Sequence, residues 1–306
     1  MSLTRRDFLA TSAAAAVAGT LGRPSFVSAL QGQAAPPVFT PIRRNVGFFT
    51  MRGGTIGYLV NAGGVAVVDS QFPAEAKACL DGLNERSGGR PVDLLINTHH
   101  HGDHSGGNLS FRGSAKKVVA HAKASEHMRQ PPGGQPPADQ LFPDTTFTET
   151  WTADVGDERI RAKHYGRAHT SGDAVITFER ANVAHMGDLM FNQRHPVVDR
   201  AAGATIRGWM TVLERTPRDH ASDTMYIFGH GNTGLPVTGS QADLAKFRDY
   251  LGALMAFVEA QVKAGRSRDE ILAMRDPLAR FESFGRFGQA SPRDALTCAY
   301  EEVTTS

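Results

Sequence analysis

Short apolar runs separated by polar turns recur along the chain from about residue 55 onward. Their length and composition predict strands at 55–60, 65–69, 92–97, 117–121, 159–165, 174–178, 183–186 and 225–228. Apolar positions at helical spacing predict helices at 74–86, 122–128, 206–215, 240–264, 267–274 and 293–303. Short strands with helices between them predict a mixed α/β sandwich, because a strict βαβ repeat would alternate the two element types.

Two proline-rich segments interrupt this pattern. Residues 35–48 carry no clear periodicity and are expected to be irregular. Residues 130–143 (QPPGGQPPADQLFP) predict a loop, which is either a passive surface loop or one that flanks an active site. The sequence leaves both interpretations of this second segment open.

The overall composition excludes several classes of protein. The chain has 306 residues, 33 Lys and Arg against 31 Asp and Glu, and a formal net charge of +2. This length suits one large domain or two small ones with a sizeable core, and 41% hydrophobic with 21% charged residues is typical of globular proteins. So small a charge excludes a generally basic nucleic-acid binder. Two cysteines are too few for a disulfide scaffold or a cysteine-rich zinc module.

The N-terminal segment resembles a twin-arginine (Tat) export signal. TRRDFL at residues 4–9 precedes an Ala-rich apolar run, and small residues follow at the candidate cleavage points after Ala29 or within 32–35. We therefore expect a signal peptide at 1–34 and a folded domain, including a C-terminal helical segment, at 35–306. An amphipathic N-terminal helix is the alternative. The apolar run is short and Ala-rich for a membrane span, so we expect no stable membrane insertion after cleavage; an uncleaved anchor is the alternative.

Removing this signal changes the charge balance. Residues 1–34 hold three arginines and one aspartate, so residues 35–306 carry equal numbers of basic and acidic side chains. A neutral mature domain strengthens the exclusion of a nucleic-acid partner. A Tat signal implies a periplasmic or secreted protein whose transient partner is the Tat export machinery.

Histidine supplies the chemistry of the chain. None of the 12 histidines occurs before His99, where the apolar run LLINT leads into HHHGDHSGGN at 99–108. In an extended segment His99 and His101 point the same way, and a turn at Gly102 brings Asp103 and His104 near them. Imidazole and carboxylate groups are ligands for zinc-type ions. A solvated His-rich loop is the alternative interpretation.

The order H-x-H-x-D-H at a strand end resembles the metallo-β-lactamase superfamily. That resemblance implies further motifs downstream, and they occur in order as GRAHTSGD at 166–173, GD at 187–188 and GHG at 229–231. It implies an α/β (α+β) fold, a four-layer αββα sandwich with C-terminal helices. It also implies two metal sites, one held by His99, His101 and His169, the other by Asp103, His104 and His230, with Asp188 as the bridge.

The implied function is that of an exported binuclear metal-dependent hydrolase. A hydroxide held by two divalent ions would attack the carbonyl of an ester, thioester, lactone or β-lactam, and Asp103 would orient it and pass on its proton. Zinc is the expected metal, although nitrogen and oxygen ligands also suit iron or manganese. The substrate is expected to be a small molecule.

Several alternatives stay open at this point. The chain could be a β-lactamase proper, an iron-dependent oxidoreductase of the same fold, or a metal-binding protein without catalysis. His195 and Asn232 are candidates for the substrate pocket, although for His195 an ordinary loop position is as good an interpretation. His100 is expected to point away from the metals. Cys79 and Cys298 are expected to be buried free thiols.

Overall fold

Two β-sheets face each other in the computed structural model, which describes residues 37–132, 134–135 and 138–305. The predicted signal peptide at 1–34 lies outside these residues, so the domain division stays a prediction. Within the described residues no helix combines the length and apolarity needed to cross a bilayer.

The first sheet has seven strands, in the order in which they occur along the chain. They are β1 (Val38–Arg43), β2 (Val46–Thr50), β3 (Ile56–Asn61), β4 (Gly64–Val68), β5 (Leu94–Asn97), β6 (Val118–His121) and β7 (Thr145–Phe147). The pairs from β1 to β4 are antiparallel, whereas those from β4 to β7 are parallel. The parallel strands therefore all end at one edge of the sheet.

The second sheet has six strands, and a two-stranded ladder lies beside it. The strands of this half are β8 (Thr150–Val155), β9 (Glu158–Lys163), β10 (Val175–Phe178), β11 (Val183–His185), β12 (Phe191–Asn192), β13 (Met225–Ile227), β14 (His230–Gly231) and β15 (Thr238–Gly239). The sheet order is β15-β13-β11-β10-β9-β8, and β12 pairs with β14. Strands β11 and β13 are parallel, so the segments that follow them leave the sheet together.

Helices connect the strands and close the chain. They are α1 (Pro73–Ser87), α2 (Gly102–Ser105), α3 (Ala122–Arg129), α4 (Ile206–Arg215), α5 (Gln241–Lys263), α6 (Arg268–Leu272) and α7 (Ala295–Thr304). Short 3-10 turns span Asn108–Phe111, Gly187–Leu189, Arg200–Ala202, Thr216–Asp219 and Glu282–Phe284. Helix α4 has the predicted bounds, and the other predicted helices agree within a few residues at each end.

Side-chain alternation along the strands builds four layers. In β4, Val67 packs toward Leu83 of α1, while Val68 enters the core between the two sheets. In the second sheet Ile176 faces that same core, whereas Tyr226 packs outward with the apolar side chains of α4, α5 and α7. Central strands such as β4 and β10 are thus buried on both faces, and the predicted αββα sandwich with C-terminal helices is confirmed.

The prediction of an irregular segment at 35–48 is wrong, because this part of the chain contributes β1 and the start of β2. Phe39 of β1 packs on Phe49 of β2 with ring centroids 4.8 Å apart, and it also contacts Tyr58 of β3. Pro41 fits because β1 is an edge strand, where a missing N–H leaves no ladder partner unsatisfied. Strands β7 and β8 were also missed; β8 alternates between exposed and partly buried positions.

Both cysteines are buried and free, as expected from the sequence. Cys79 packs in the layer of α1, and Cys298 lies in α7.

Candidate metal centre

Three histidines direct ring nitrogens at a common point. The Nε2 atom of His99 lies 3.1 Å from Nδ1 of His101, and the Nε2 atom of His169 lies 2.9 Å from that same Nδ1. His99 and His101 follow strand β5, and His169 lies in the connection between β9 and β10. We call these residues the three-histidine cluster. Its geometry places three neutral-nitrogen ligands around one position.

A second group of donors lies beside the first. The Nε2 atom of His230 is 3.1 Å from Oδ2 of Asp103 and 3.4 Å from Nε2 of His104. Asp103 and His104 lie in helix α2, and His230 begins β14 just after β13 ends. We call Asp103, His104 and His230 the mixed cluster. It provides one carboxylate and two imidazoles around a second position.

The carboxylate of Asp188 lies between the two clusters. Its Oδ1 is 2.9 Å from Nε2 of His104, and its Oδ2 is 3.5 Å from Nε2 of His169. Gly187 places it there with a φ of 50°, a left-handed conformation in which a Cβ would also overlap the Thr98 side chain. Gly229 is required for the same reason, because its Cβ would overlap Asp188 itself.

Outer hydrogen bonds fix the tautomer of His104 and His99. His104 donates its Nδ1 hydrogen to Oδ2 of Asp69 at 2.8 Å, which leaves Nε2 without a proton in the neutral ring. The Thr98 hydroxyl also donates to Asp69, so it accepts from Nδ1 of His99 at 3.0 Å. In their neutral forms both rings therefore present a bare Nε2 lone pair to the centre.

The remaining two histidines of the three-histidine cluster take their partners from one short segment. His169 donates its Nδ1 hydrogen to the Val197 carbonyl at 2.8 Å, and His101 donates its Nε2 hydrogen to Oδ2 of Asp199, also at 2.8 Å. The guanidinium of Arg293 donates to the same Asp199 oxygen at 2.8 Å and contacts His101. As with His99 and His104, the inward-facing nitrogen is left free to bind a cation.

These donors fit divalent metal ions. The four residues His99, His101, His169 and Asp188 form one group whose donor atoms all lie within 4.8 Å of one another, and the mixed cluster forms another. The Oδ1 atom of Asp188 is buried and accepts no hydrogen bond, although several imidazole nitrogens surround it. An unsatisfied carboxylate oxygen of this kind is costly unless a cation completes its coordination.

The electrostatics of the two clusters differ. Burial lowers the pKa of His169 to about 3 and holds the pKa of His99 well below its usual range. Burial has the same tendency at His230, but the carboxylates of Asp188 and Asp103 outweigh it and raise the pKa to about 9. Without metal His230 is therefore protonated at neutral pH, whereas His99 and His169 are neutral.

The carboxylates respond in the opposite direction. Burial favours the neutral acid at Asp103, but the hydrogen bond with His230 and the charge of His104 lower its pKa to about 2. Burial likewise opposes ionisation of Asp188, yet His230 and His104 hold its pKa well below the usual range. Both groups are carboxylates at neutral pH.

A cavity of about 500 Å³ opens over the two clusters. The metal-facing residues His101, Asp103, Asp188 and His230 form its floor. Phe72, Phe191 and Val197 supply apolar wall, whereas Arg194 and Arg293 bring two guanidinium groups. A small molecule with both apolar and anionic character suits this lining.

The structure brings all seven sequence-predicted ligands together, but it does not place His195 or Asn232 in the metal cavity. The Nδ1 atom of His195 pairs with the Tyr250 hydroxyl, and its Nε2 faces backbone carbonyl groups of 285–286. Both residues line a neighbouring cavity instead. His100 points away from the metal-facing atoms, as expected, with its Nε2 3.8 Å from Asp199 and its ring 4.9 Å from that of His127.

The loop at 130–143 flanks the centre on its other side. Several of its described residues line a cavity together with His100 and His101, and the Gln140 amide donates to the Ser105 carbonyl at 3.2 Å. This contact favours the flanking interpretation over that of a passive surface loop.

Three supporting residues escape analysis of the sequence alone. Asp69 has a weak signal, since it ends the apolar run VAVV, and it adopts a φ of 66° that aims its carboxylate at Thr98 and His104. Asp199 and Arg293 have no local signal. They lie in polar segments far along the chain from His101, and only folding brings them to it.

Comparisons with known proteins agree with this geometry. The family model described as "Metallo-beta-lactamase superfamily" matches residues 50–246. Metallo-beta-lactamase IND-1 of Chryseobacterium indologenes is 23% identical over 175 residues, which cover 56% of this chain and 70% of that protein. Hydroxyacylglutathione hydrolase of Methylococcus capsulatus is 29% identical over 134 residues, covering 44% of this chain and 47% of its own length.

A further relative is 2,4-dinitroanisole O-demethylase subunit alpha of Nocardioides sp., 28% identical over 160 residues that cover 49% of this chain. The match covers only 45% of that relative, so the chain spans less than half its length. Among solved structures, a metallo-beta-lactamase from Pontibacter korlensis superposes with a TM-score of 0.60 at 18% identity, over 71% of this chain and 99% of that one. The structural likeness shows the fold.

Proposed function

The chain belongs to the metallo-beta-lactamase superfamily, and we propose that it is a binuclear metal-dependent hydrolase of a small carbonyl substrate. The observation that carries this proposal is the pair of donor clusters joined by the carboxylate of Asp188 at the floor of an open cavity. The relatives named as a metallo-beta-lactamase and a hydroxyacylglutathione hydrolase support hydrolysis as the class of reaction.

The seven candidate ligands fall into two groups, one for each metal position. His99, His101 and His169 would hold one ion, and Asp103, His104 and His230 the other, with Asp188 shared between them. Two divalent ions, with zinc as the first expectation and iron or manganese as alternatives, supply Lewis acidity and activate water near neutral pH when bound.

The protein's own groups then orient the reaction. Asp103 is ionised and lines the cavity, so one carboxylate oxygen can accept a hydrogen bond from the attacking water while Oδ2 faces His230. Asp69, Val197 and Asp199 hold the histidine rings in fixed tautomers, which limits rearrangement during turnover. Phe72 and Phe191 place apolar surface beside the metal-facing residues, and the Phe191 ring stacks on that of His230 with centroids 5.3 Å apart.

Metal content and turnover test the proposal together. The full chain, purified without added metal, is analysed for bound metal and then assayed with a thioester, a lactone, an aryl ester and a chromogenic β-lactam. About two zinc ions per chain with turnover of at least one substrate is the expected result. A single iron per chain with no hydrolysis would instead favour the oxidoreductase alternative.

Within hydrolysis, the panel also separates a β-lactamase from a thioesterase or lactonase. The relatives named above include both a β-lactam and a thioester class of enzyme, so each substrate serves as the control for the other. A preference of at least 100-fold in kcat/KM for the β-lactam would assign the chain as a β-lactamase proper.

We also propose export through the Tat pathway, on the strength of the TRRDFL motif at 4–9. The test is cell fractionation of a producing strain, which compares the native chain with the double variant Arg5→Lys/Arg6→Lys. Export predicts that the native chain is found in the periplasm or medium and that the variant stays in the cytoplasm. Equal distribution of the two forms would contradict it.

A further inference from the structure

A second cavity, of about 580 Å³, adjoins the metal cavity. The two share Arg194, Val197 and Arg293 in their linings, so a ligand can extend from one into the other. We call the second one the arginine cavity, because Arg194, Arg286 and Arg293 all line it. Nothing in the hydrolytic chemistry of the metal clusters requires this space.

The arginine cavity carries an excess of positive charge. Arg293 is paired with Asp199, but the side chains of Arg194 and Arg286 make no hydrogen bond or ion pair with any residue that the structure describes. The only carboxylate in the lining is that of Asp294. Its two oxygens already accept backbone N–H groups of Leu296 and Ser291, at 3.0 Å and 2.9 Å, as the cap of helix α7.

An apolar wall faces these guanidinium groups. Phe284 and Phe287 are 4% and 5% exposed, and the His195 ring stacks on Phe287 with centroids 5.1 Å apart. His195 is itself held by the Tyr250 hydroxyl and two backbone carbonyls, so this wall is fixed rather than adaptable. The cavity therefore combines a rigid hydrophobic surface with two unpaired cationic groups.

We propose that the arginine cavity binds an oxyanion, a carboxylate or a phosphate, on the far end of an apolar substrate whose scissile carbonyl lies at the metal centre. Guanidinium groups bind both anions through paired N–H donors, and an aryl or alkyl body fits against Phe284 and Phe287. This inference rests on the proposed hydrolytic function and names its substrate class. Arg194 lies within the family match at 50–246, whereas Arg286, Phe284 and Phe287 lie beyond it, so the C-terminal segment contributes part of this selectivity.

Calorimetry on the full, metal-loaded chain tests the subsite without turnover. The probes are 2-naphthoate, 2-naphthyl phosphate and the neutral 2-naphthamide, titrated into the native protein and into Arg194→Ala/Arg286→Ala. We expect at least tenfold weaker binding of one or both anions by the double variant, with naphthamide affinity unchanged. The anion that loses more affinity identifies the natural charged group. Arg266→Ala, which removes an exposed guanidinium remote from both cavities, is the control and should bind like the native chain.

Two results would overturn the proposal: equal affinity of the native chain for naphthoate, naphthyl phosphate and naphthamide, or undiminished anion binding by the double variant. The second would place the anion on the metals themselves. Metal content is measured in every variant, because a loss of metal would weaken binding for an unrelated reason. Anion binding in this cavity is scored independently of hydrolysis, so an inactive chain that still binds naphthoate through Arg194 and Arg286 would count against the proposed function alone.

Discussion

The two ligand clusters are alike in chemistry but differ in what holds them in place. In the mixed cluster, His104 is bound to Asp69, a fully buried residue at the end of β4 in the first sheet. In the three-histidine cluster, His101 and His169 are bound to Asp199 and Val197, which belong to an irregular segment. One cluster is supported mainly by the sheet and the other mainly by a loop.

The loop that supports the three-histidine cluster is itself held by the C-terminal segment. The Val198 N–H donates to the Arg293 carbonyl at 3.0 Å, and Val197 forms an antiparallel bridge with Asp294. The sheet-supported partners lie within the family match, whereas Arg293 and Asp294 lie beyond it. His99 is the exception in its cluster, since Thr98 and Asp69 connect it to the sheet. Ligands of the same chemical type in this protein therefore depend on different parts of the fold, a sheet in one cluster and a loop in the other.

Asp188 lies between the two clusters, so its replacement should affect both of them. Asp188→Ala is expected to lower kcat/KM by at least about 10³-fold, because several kcal/mol of transition-state stabilisation depend on correctly held metals. Metal content should fall at both positions, and the far-ultraviolet circular dichroism spectrum should stay native. Unchanged turnover would refute the assignment of Asp188 as the bridge.

Asp69 should dominate the stability of the sheet-supported side. Asp69→Ala removes the acceptor for the Thr98 N–H, the Thr98 hydroxyl and His104, at 2.7–2.8 Å. Loss of so many buried bonds should lower the free energy of unfolding by about 3 kcal/mol in urea titrations.

Asp69→Asn keeps one acceptor oxygen and serves as the second variant if the alanine form does not fold. It should retain more stability and lose metal preferentially from the mixed cluster. Loss of metal from the three-histidine cluster alone would contradict the prediction that Asp69 mainly supports the mixed cluster.

Asp199 should affect the loop-supported side. Asp199→Ala removes the partner of His101 Nε2, and such outer partners contribute about 10- to 100-fold to metal affinity. We expect that loss at the position of the three-histidine cluster, together with lower stability in urea, because Asp199 also accepts the Ala202 N–H and the Arg293 guanidinium. Competitive titration with a chelator measures it. Asp249→Ala, an exposed substitution on α5, is the control and should retain native metal affinity at both positions.

Arg293 acts on the same ligand one step further out, so a smaller effect is expected. Arg293→Ala leaves the hydrogen bond between His101 and Asp199 in place and removes only the cation beside it. The expected loss of affinity at the three-histidine cluster is less than about tenfold, since the guanidinium is half exposed and its pairing is screened by solvent. A larger loss of metal affinity than that of Asp199→Ala would contradict the prediction that Arg293 acts on His101 only through Asp199.

The last prediction concerns protons. In the metal-free protein, acidic neighbours hold the pKa of His104 well above its usual range and raise that of His230 to about 9, so both rings are charged at pH 7 and must be deprotonated to bind metal. Loading of the mixed cluster should therefore release protons and strengthen as pH rises toward 9.

The three-histidine cluster should behave differently, since burial lowers the pKa of His169 to about 3 and holds that of His99 far down, so these rings are already neutral. Calorimetric metal titrations in buffers of different ionisation enthalpy count the protons released. Release of equal numbers of protons on binding each of the two ions would contradict the predicted electrostatic difference between the clusters.

The sequence predicted the class of the fold and, through its family resemblance, the seven candidate ligands that the structure brings together. Strand alternation sets the common direction of His99 and His101. The Gly-Asp and Gly-His pairs mark sites where a Cβ would collide with a neighbour. Both signals are short sequence patterns, so they can be recognised without the structure. Buried strands such as β4 and β10 were recognisable because nearly every position in them is apolar.

The same local signals failed where structure depends on distant partners. Strands β1 and β2 were missed, since Pro41 is tolerated only because β1 turns out to be a sheet edge. His195, one candidate for the substrate pocket, lies in the wall of the neighbouring cavity and not in the metal cavity, because it pairs with the Tyr250 hydroxyl on α5. Neither outcome can be derived from residues nearby in the chain.

Tertiary structure alone decided how the ligands are held and what surrounds them. Asp199 and Arg293 reach His101 across 98 and 192 residues of chain, and the arginine cavity assembles from segments equally far apart. Four of the seven candidate ligands fall within residues 99–104, because one strand end and the turn after it can present several donors to the same place. Their outer partners need only the right position in space, so the fold can supply them from any part of the chain.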